Sequence, residues 1–295
     1  MTKVMELPLV VGVDGSEGSL RALDWAVPEA ARRGLPLRIV HASVWEHYEG
    51  VHPRLGADRP SEQVYAENLV ATSEERARRL SPEVKVTTDI RPEEPVTGLV
   101  AEGDDAALLV LGSRGRGPVT GMLLGSVSLS VAARARCPVV VVRGRESTEQ
   151  AGDGRVVLGV GDSDASRVAA RFALREARSR GCELVAVRAW HGPVLESAPY
   201  PLADSDQLRT YRQQADDYVD SVLSDIGEDL TEVTVRRKVV QGTAHQTLLE
   251  AAAPGDLLVV GARRRHGAFG LQLGQVNHAM LHYAPCPVAI VPERE

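Results

Sequence analysis

Val10-Val11-Gly12-Val13-Asp14-Gly15-Ser16 is a short apolar run cut off by a turn, and Val157-Leu158-Gly159-Val160-Gly161-Asp162-Ser163 repeats it one half-chain later. Asp, Gly and Ser supply the turn chemistry in both copies. Gly34 returns as Gly181 at the same offset, and Arg136-Cys137-Pro138-Val139-Val140-Val141-Val142 returns as Pro285-Cys286-Pro287-Val288-Ala289-Ile290-Val291. A repeat unit this long indicates duplicated domains, not a solenoid. The 295-residue length suits two domains of ~150 residues. Gly144 to Gly154 is polar and reads as the link between them. The expected division is a first domain at 1–144, a linker at 145–154 and a second domain at 155–295.

Each half alternates strand and helix signals. In the first, Leu9–Val13 reads as a strand and Ser19–Arg33 as a helix, with Ala22, Trp25, Ala26 and Ala30 on one face and Gly34 as its cap. Leu37–Val44 is the next strand, Glu62–Leu80 a polar helix and Val84–Ile90 a strand. Pro95–Gly103 is a short helix, Ala106–Leu111 a solid apolar strand, and Pro138–Val142 the last strand. Unbroken apolar strands between helices are what a parallel sheet covered on both faces requires. The expected fold is α/β, with two tandem doubly wound domains. Each has a mainly parallel five-stranded sheet flanked by helices and joined by right-handed crossovers.

Between the fourth strand and a helix from about Ser126 lies Leu111-Gly112-Ser113-Arg114-Gly115-Arg116-Gly117-Pro118-Val119-Thr120-Gly121-Met122-Leu123-Leu124-Gly125-Ser126. Ligands of doubly wound folds bind outside the carboxyl ends of strands. Glycines there admit close approach and positive φ, and unpaired N–H groups of the loop and the next helix attract phosphate. Ser126 is placed where an N-cap hydroxyl would reach the helix or a phosphate oxygen. Taken alone, such a loop reads equally as a set of tight turns. No Walker loop GxxxxGK[ST] is present, and no GxGxxG follows the first strand.

A longer pattern does fit. Gly112, Gly115, Gly125 and Ser126 satisfy G-x2-G-x9-G-[ST], which resembles the ATP-binding signature of the universal stress protein family. Val11-Gly12-Val13-Asp14-Gly15-Ser16 resembles that family's opening strand and acidic turn, Ile39-Val40-His41-Ala42 its second strand, and Cys137-Pro138-Val139-Val140-Val141 its last. The resemblance covers nearly all of both halves. It implies ATP as ligand, with Mg2+ as a candidate companion, and a stress-response role. By the same resemblance Gly12 and Asp14 lie by the ribose and any metal, and main chain at Ala42 and Leu111 meets adenine. Gly112, Gly115, Gly125, Ser126 and Ser128 hold the phosphates, with Arg114 and Val127 beside them. Asp14 reads otherwise as a turn residue ending a strand.

The second half keeps the spacing at Gly261 and Gly274 but not the chemistry. Arg264 stands for Gly115, Gln275 for Ser126, Asn277 for Ser128, and Gly161-Asp162 for Asp14-Gly15. A β-carbon at a position of positive φ costs roughly 1 kcal/mol, so the second site is expected to be degraded. Arg263, Arg264 and Arg265 read as a solvated face in preference to an anion site.

The net charge of -6 and the absence of a dominant basic surface argue against nucleic acid. The only lysines are Lys3, Lys85 and Lys238. There is no apolar run of ~18 residues and so no membrane span. Cys137, Cys182 and Cys286 are odd in number, lack CxxC spacing and suit a reducing cytoplasm. His278 and His282 are four apart, but without the Glu of HExxH they read as ordinary surface or satisfied histidines. Asp162-Ser163-Asp164 reads as a helix N-cap region. No GxSxG elbow or nucleophilic Cys setting is present, and no acid–base pair for hydrolysis stands out. The leading expectation is a nucleotide-binding regulatory protein. A slow ATP hydrolase and a nucleotide-independent interaction module are the alternatives. The apolar last strands, Val139–Val142 and Val288–Val291, are expected to mediate a pseudo-twofold pairing of the halves, and a homodimer of tandem chains is a further expectation.

Overall fold

The computed structural model describes residues 7–44, 61–115, 124–143, 154–192, 205–227, 231–253, 257–263 and 273–293. The chain divides into two compact units. Apart from Gly154, the expected linker lies outside the described residues.

In the first unit the strands are β1 (Leu9–Gly12), β2 (Leu37–Ala42), β3 (Val86–Arg91), β4 (Leu108–Gly112) and β5 (Val139–Val142). All pair in parallel, in the order β3-β2-β1-β4-β5. Every residue of β1, β4 and β5 is buried, because helices cover both faces of the sheet. Helices α1 (Glu17–Arg33) and α2 (Ser61–Leu80) pack together on one face. Helices α3 (Pro95–Asp104) and α4 (Ser126–Arg134) pack together on the other. The change of face follows from handedness: right-handed crossovers running leftward from β1 and β2 and rightward from β3 and β4 must lie on opposite sides.

Helix α1 shows how locally this is encoded. Ser16 caps its start, accepting the Ser19 N–H on its side chain, and Gly34 ends it at φ 65°. Ala22, Leu23, Ala26, Val27 and Ala30 form the buried stripe. The half-buried strand β3 alternates weakly, as an edge exposed on one side does. Strand and helix ends fall within two residues of the sequence expectation, with β2 stopping at Ala42 instead of Val44 and β4 running from Leu108 to Gly112 instead of Ala106 to Leu111.

The second unit repeats the plan. Its strands are β6 (Val156–Gly159), β7 (Leu184–Trp190), β8 (Val235–Gln241), β9 (Leu257–Ala262) and β10 (Val288–Pro292). They form the parallel order β8-β7-β6-β9-β10. Helices α5 (Ala165–Arg180), α6 (Ser205–Ser224), α7 (Ala244–Ala251) and α8 (Gln275–Tyr283) follow in chain order. In each unit the sheet order reverses beside the first strand, between β1 and β4 and between β6 and β9. In a sheet of this kind that reversal opens a crevice at the carboxyl ends.

Candidate functional site

A cavity of about 310 Å³ opens at the β1–β4 reversal. This lies within the range of small-molecule pockets, about 300–1,000 Å³. All eleven residues singled out from the sequence line it: Gly12 and Asp14 after β1, Ala42 ending β2, Leu111, Gly112, Arg114 and Gly115 after β4, and Gly125, Ser126, Val127 and Ser128 opening α4. Val13, Ser19, Val40, Pro95, Leu99 and Leu124 line it too and were not anticipated. Pro95 and Leu99 come from α3, the helix after β3. Their signal was available in the topology, since that helix must cross the sheet beside the reversal.

The turn carrying Asp14 is held from several directions. Asp14 N–H donates to Ser19 Oγ at 3.3 Å, and Asp14 Oδ1 accepts Ser16 N–H at 2.9 Å. Tyr65 Oη donates to the Asp14 carbonyl at 3.3 Å. His41 Nδ1 lies 2.8 Å from the Val13 carbonyl oxygen, which can only accept, so Nδ1 carries the proton. Ser16 Oγ donates to the Arg114 carbonyl at 3.2 Å and ties this turn to the glycine loop. Gly125 N–H closes the other end of that loop on the Ser113 carbonyl at 2.7 Å. Residues 116–123, including Gly117 and Gly121, lie outside the described residues.

Two sequence expectations need correction. The glycines of the motif do not adopt positive φ: among the described residues that conformation occurs at Gly15, Gly34, Gly181, Gly227 and Gly242. Gly112 is required instead by close approach, since a β-carbon there would sit 2.4 Å from the Gly18 backbone at the start of α1. A β-carbon on Gly115 would sit 2.6 Å from Asp14 Oδ2. Second, Ser126 is not the N-cap of α4. Gly125 holds that position in extended conformation, and Ser126 is the first helical residue, exposed. The Ser128 hydroxyl is buried and donates to the Gly112 carbonyl at 2.6 Å. What the helix start offers is backbone: the Ser126, Val127 and Ser128 N–H groups have no intrahelical acceptor, and all three residues line the cavity.

The second unit keeps the framework of this site. Asn277 Nδ2 donates to the Gly261 carbonyl at 3.0 Å, the bond that Ser128 makes to Gly112. A β-carbon on Gly261 would sit 2.6 Å from the Ala165 carbonyl oxygen, as one on Gly112 would from Gly18. Replacement of Ser128 by Asn277 therefore preserves a helix-to-strand tie and is not a loss of chemistry. Arg264, Arg265, His266 and Gly267 lie outside the described residues.

The remaining candidates resolve more simply. His278 and His282 stack on α8 with ring centroids 6.0 Å apart. Among the described residues no group of three potential metal ligands occurs. Asp164 is the N-cap of α5 but makes no capping bond with its side chain; its carboxylate takes Arg167 Nη1 at 2.6 Å. No disulfide joins Cys137, Cys182 and Cys286, and burial pushes the Cys137 thiol up to about 12. Among the described residues no helix is long and apolar enough to cross a membrane.

A doubly wound parallel α/β unit with a glycine-lined crevice at its strand reversal is an architecture that holds ligands in that crevice. The Universal stress protein family profile matches residues 7–143 and 154–292. The chain is 33% identical over 303 residues to Universal stress protein Rv2005c of Mycobacterium tuberculosis, covering 96% of each. It therefore belongs to the universal stress protein family, as a member with two tandem domains. A universal stress protein from Archaeoglobus fulgidus DSM 4304 shares the fold at TM-score 0.63 and 17% identity, over 97% of this chain and 98% of that one. A universal stress protein crystallised in complex with cAMP is similar over 47% of this chain and 98% of its own, at 29% identity and TM-score 0.35.

Proposed function

We propose that the first unit binds an adenine nucleotide, ATP foremost, and that occupancy regulates the protein in a stress response. The observation that carries this reading is convergence: the separated members of the G-x2-G-x9-G-S motif, together with Asp14, Ala42 and Leu111, line one cavity. The apolar side, with Val40, Leu99 and Leu111, suits a purine ring. The other side offers the N–H groups that open α4, which favour phosphate at a helix N-terminus. Mg2+ arriving with a triphosphate would find one carboxylate, Asp14, and would keep mostly water and phosphate ligands, as that ion prefers. Ligand occupancy acts on such a protein by favouring one of its shapes or partner surfaces. Pairing of tandem chains into a homodimer, and a cytoplasmic site of action, belong to the same reading.

The test is to denature the purified protein and identify the released small molecules by mass spectrometry, then to titrate the stripped protein with ATP, ADP and AMP by calorimetry. One tight adenine nucleotide per chain is expected. Absence of any nucleotide affinity, with the fold intact, overturns the reading.

A further inference from the structure

The carboxyl end of the second sheet is organised around a charge cluster that has no counterpart among the described residues of the first unit. Asp162 follows β6, and its carboxylate is 80% exposed. Arg188, on β7, donates from Nη2 to Asp162 Oδ1 at 2.6 Å. Arg188 itself is only 15% exposed and is braced before any ligand arrives. Its Nη1 donates to the Val160 carbonyl at 3.3 Å, and its guanidinium carbon lies 4.3 Å from the centre of the Tyr218 ring. Arg263, directly after β9, donates from Nη2 to the Asp162 carbonyl at 2.9 Å. The matching positions of the first unit are Gly15, His41 and Arg114. The cluster thus draws one residue each from the ends of β6, β7 and β9, at the reversal where doubly wound sheets hold ligands.

The partners are unequal. The exposed Asp162 carboxylate is as well solvated by water as by its ion pair, and such pairs hold weakly. The guanidinium of Arg188 is largely desolvated and stacked, so it needs a counter-anion more than Asp162 needs a cation. Asp162 also underuses it. The Nε and Nη2 hydrogens lie along one edge of the guanidinium, a fork that matches two oxygens. Asp162 takes Nη2, while Nε is buried with no hydrogen-bond partner among the described residues.

We propose that this crevice of the second unit is an oxyanion site for a phosphate group, in which Asp162 stands in for the ligand until a phosphate displaces it. A phosphate offers enough oxygens to meet both donors of the Arg188 edge and the Arg263 guanidinium beside it. The rigid bracing of Arg188 reduces the ordering cost of binding. The site is separate from the first-unit cavity and does not depend on the reading given for it.

Calorimetric titration of the full-length protein with inorganic pyrophosphate tests this. Wild type is compared with Asp162→Ala, Asp162→Ala/Arg188→Lys and Asp162→Ala/Arg263→Ala. The first unit is identical in all four, so its own uptake is a constant background. Asp162 and Arg263 are exposed, so their truncation leaves the fold in place, which thermal denaturation checks. Asp162→Ala is expected to add a pyrophosphate site or tighten one by roughly tenfold or more, the scale of one charge-assisted pair. Arg188→Lys should remove the gain, because an ammonium keeps the charge but loses the fork, and Arg263→Ala should reduce it. A parallel titration with ATP separates the sources: an equal gain assigns a free phosphate, and a larger gain assigns a nucleotide phosphate. No gain in Asp162→Ala, or a gain that survives Arg188→Lys, overturns the proposal.

Discussion

Gly115 and Asp14 share one space: a β-carbon on Gly115 would sit 2.6 Å from Asp14 Oδ2. The middle glycine of the motif thus keeps open the volume in which the acidic side chain stands, although the two are far apart in sequence. Because the obstacle is the end of a side chain and not backbone, Gly115→Ala is expected to displace Asp14 at little structural cost. Thermal stability should change by no more than about 0.5 kcal/mol, as for surface substitutions. Affinity for ATP should fall by about 1 kcal/mol, one hydrogen bond's worth. Gly115→Arg, which imports the residue at the matching position of the second unit, should weaken binding far more. Calorimetry beside a melting curve checks both, and unchanged affinity in Gly115→Arg would refute a role for this loop in binding.

Gly112 and Gly261 make the opposite case. A β-carbon at either would meet the backbone at the start of α1 or α5 within 2.6 Å. Backbone cannot swing aside. Gly112→Ala and Gly261→Ala are each expected to destabilise their own unit by about 1–3 kcal/mol or more, the scale of overpacking in a core. Urea denaturation measures this. The two losses should be similar, since Gly261 is explained by helix–strand packing without any ligand. A harmless Gly261→Ala would contradict that explanation.

Ser126 and Ser128 are expected to separate affinity from stability. Ser128 Oγ is bonded to the Gly112 carbonyl and buried, so Ser128→Ala should cost stability, by about 1–3 kcal/mol for an acceptor left unmet. Ser126 is exposed at the mouth. Ser126→Ala should leave the melting temperature in place and weaken ATP binding by about 1 kcal/mol. The reverse pattern would reassign the two hydroxyls.

Cys137 should stay a thiol across the whole working range. Burial raises it from an ordinary 9.0 to about 12. The group is raised in the folded state, so the stability it contributes is complete below about pH 9. That contribution declines as pH rises toward 12, by about 1.4 kcal/mol per unit at most. Native protein at pH 8 should therefore react with a thiol reagent at half-buried Cys182, and at Cys137 only after unfolding. Mass spectrometry of the labelled peptides decides it; rapid labelling of Cys137 in the native state would show that this core opens.

ATP turnover should be slow or absent. Among the described residues, those that line the cavity include one carboxylate, Asp14, and no histidine or lysine, so they offer no acid–base pair. A steady-state phosphate-release assay should stay below the ordinary enzyme range of about 1–1000 per second. Turnover within that range, abolished by Asp14→Asn, would establish a hydrolase.

The plan of both units was legible in the chain because it rests on local signals. Val139-Val140-Val141-Val142 can be buried on both sides only in a covered sheet, and Gly34 and Gly181 each end a helix at positive φ. The candidate site was legible as a set of positions because the motif spans consecutive strand, loop and helix. Why those positions carry those residues was not legible. Positive φ and close approach to a ligand were both expected of the motif glycines, and only the approach of α1 to β4 shows that crowding by the protein's own backbone is the reason at Gly112.

Sequence by itself determined the duplication, the parallel α/β order and the location of the crevice, since hydrophobic periodicity and turn chemistry act between near neighbours. Tertiary structure alone decided that Ser128 ties a helix to a strand and that Asn277 does the same work. It alone decided that Gly115 makes room for Asp14, and that Arg188 and Arg263 converge on Asp162. Those relationships join residues up to 101 positions apart. Their chemistry depends on distance and burial, which no spacing along the chain records.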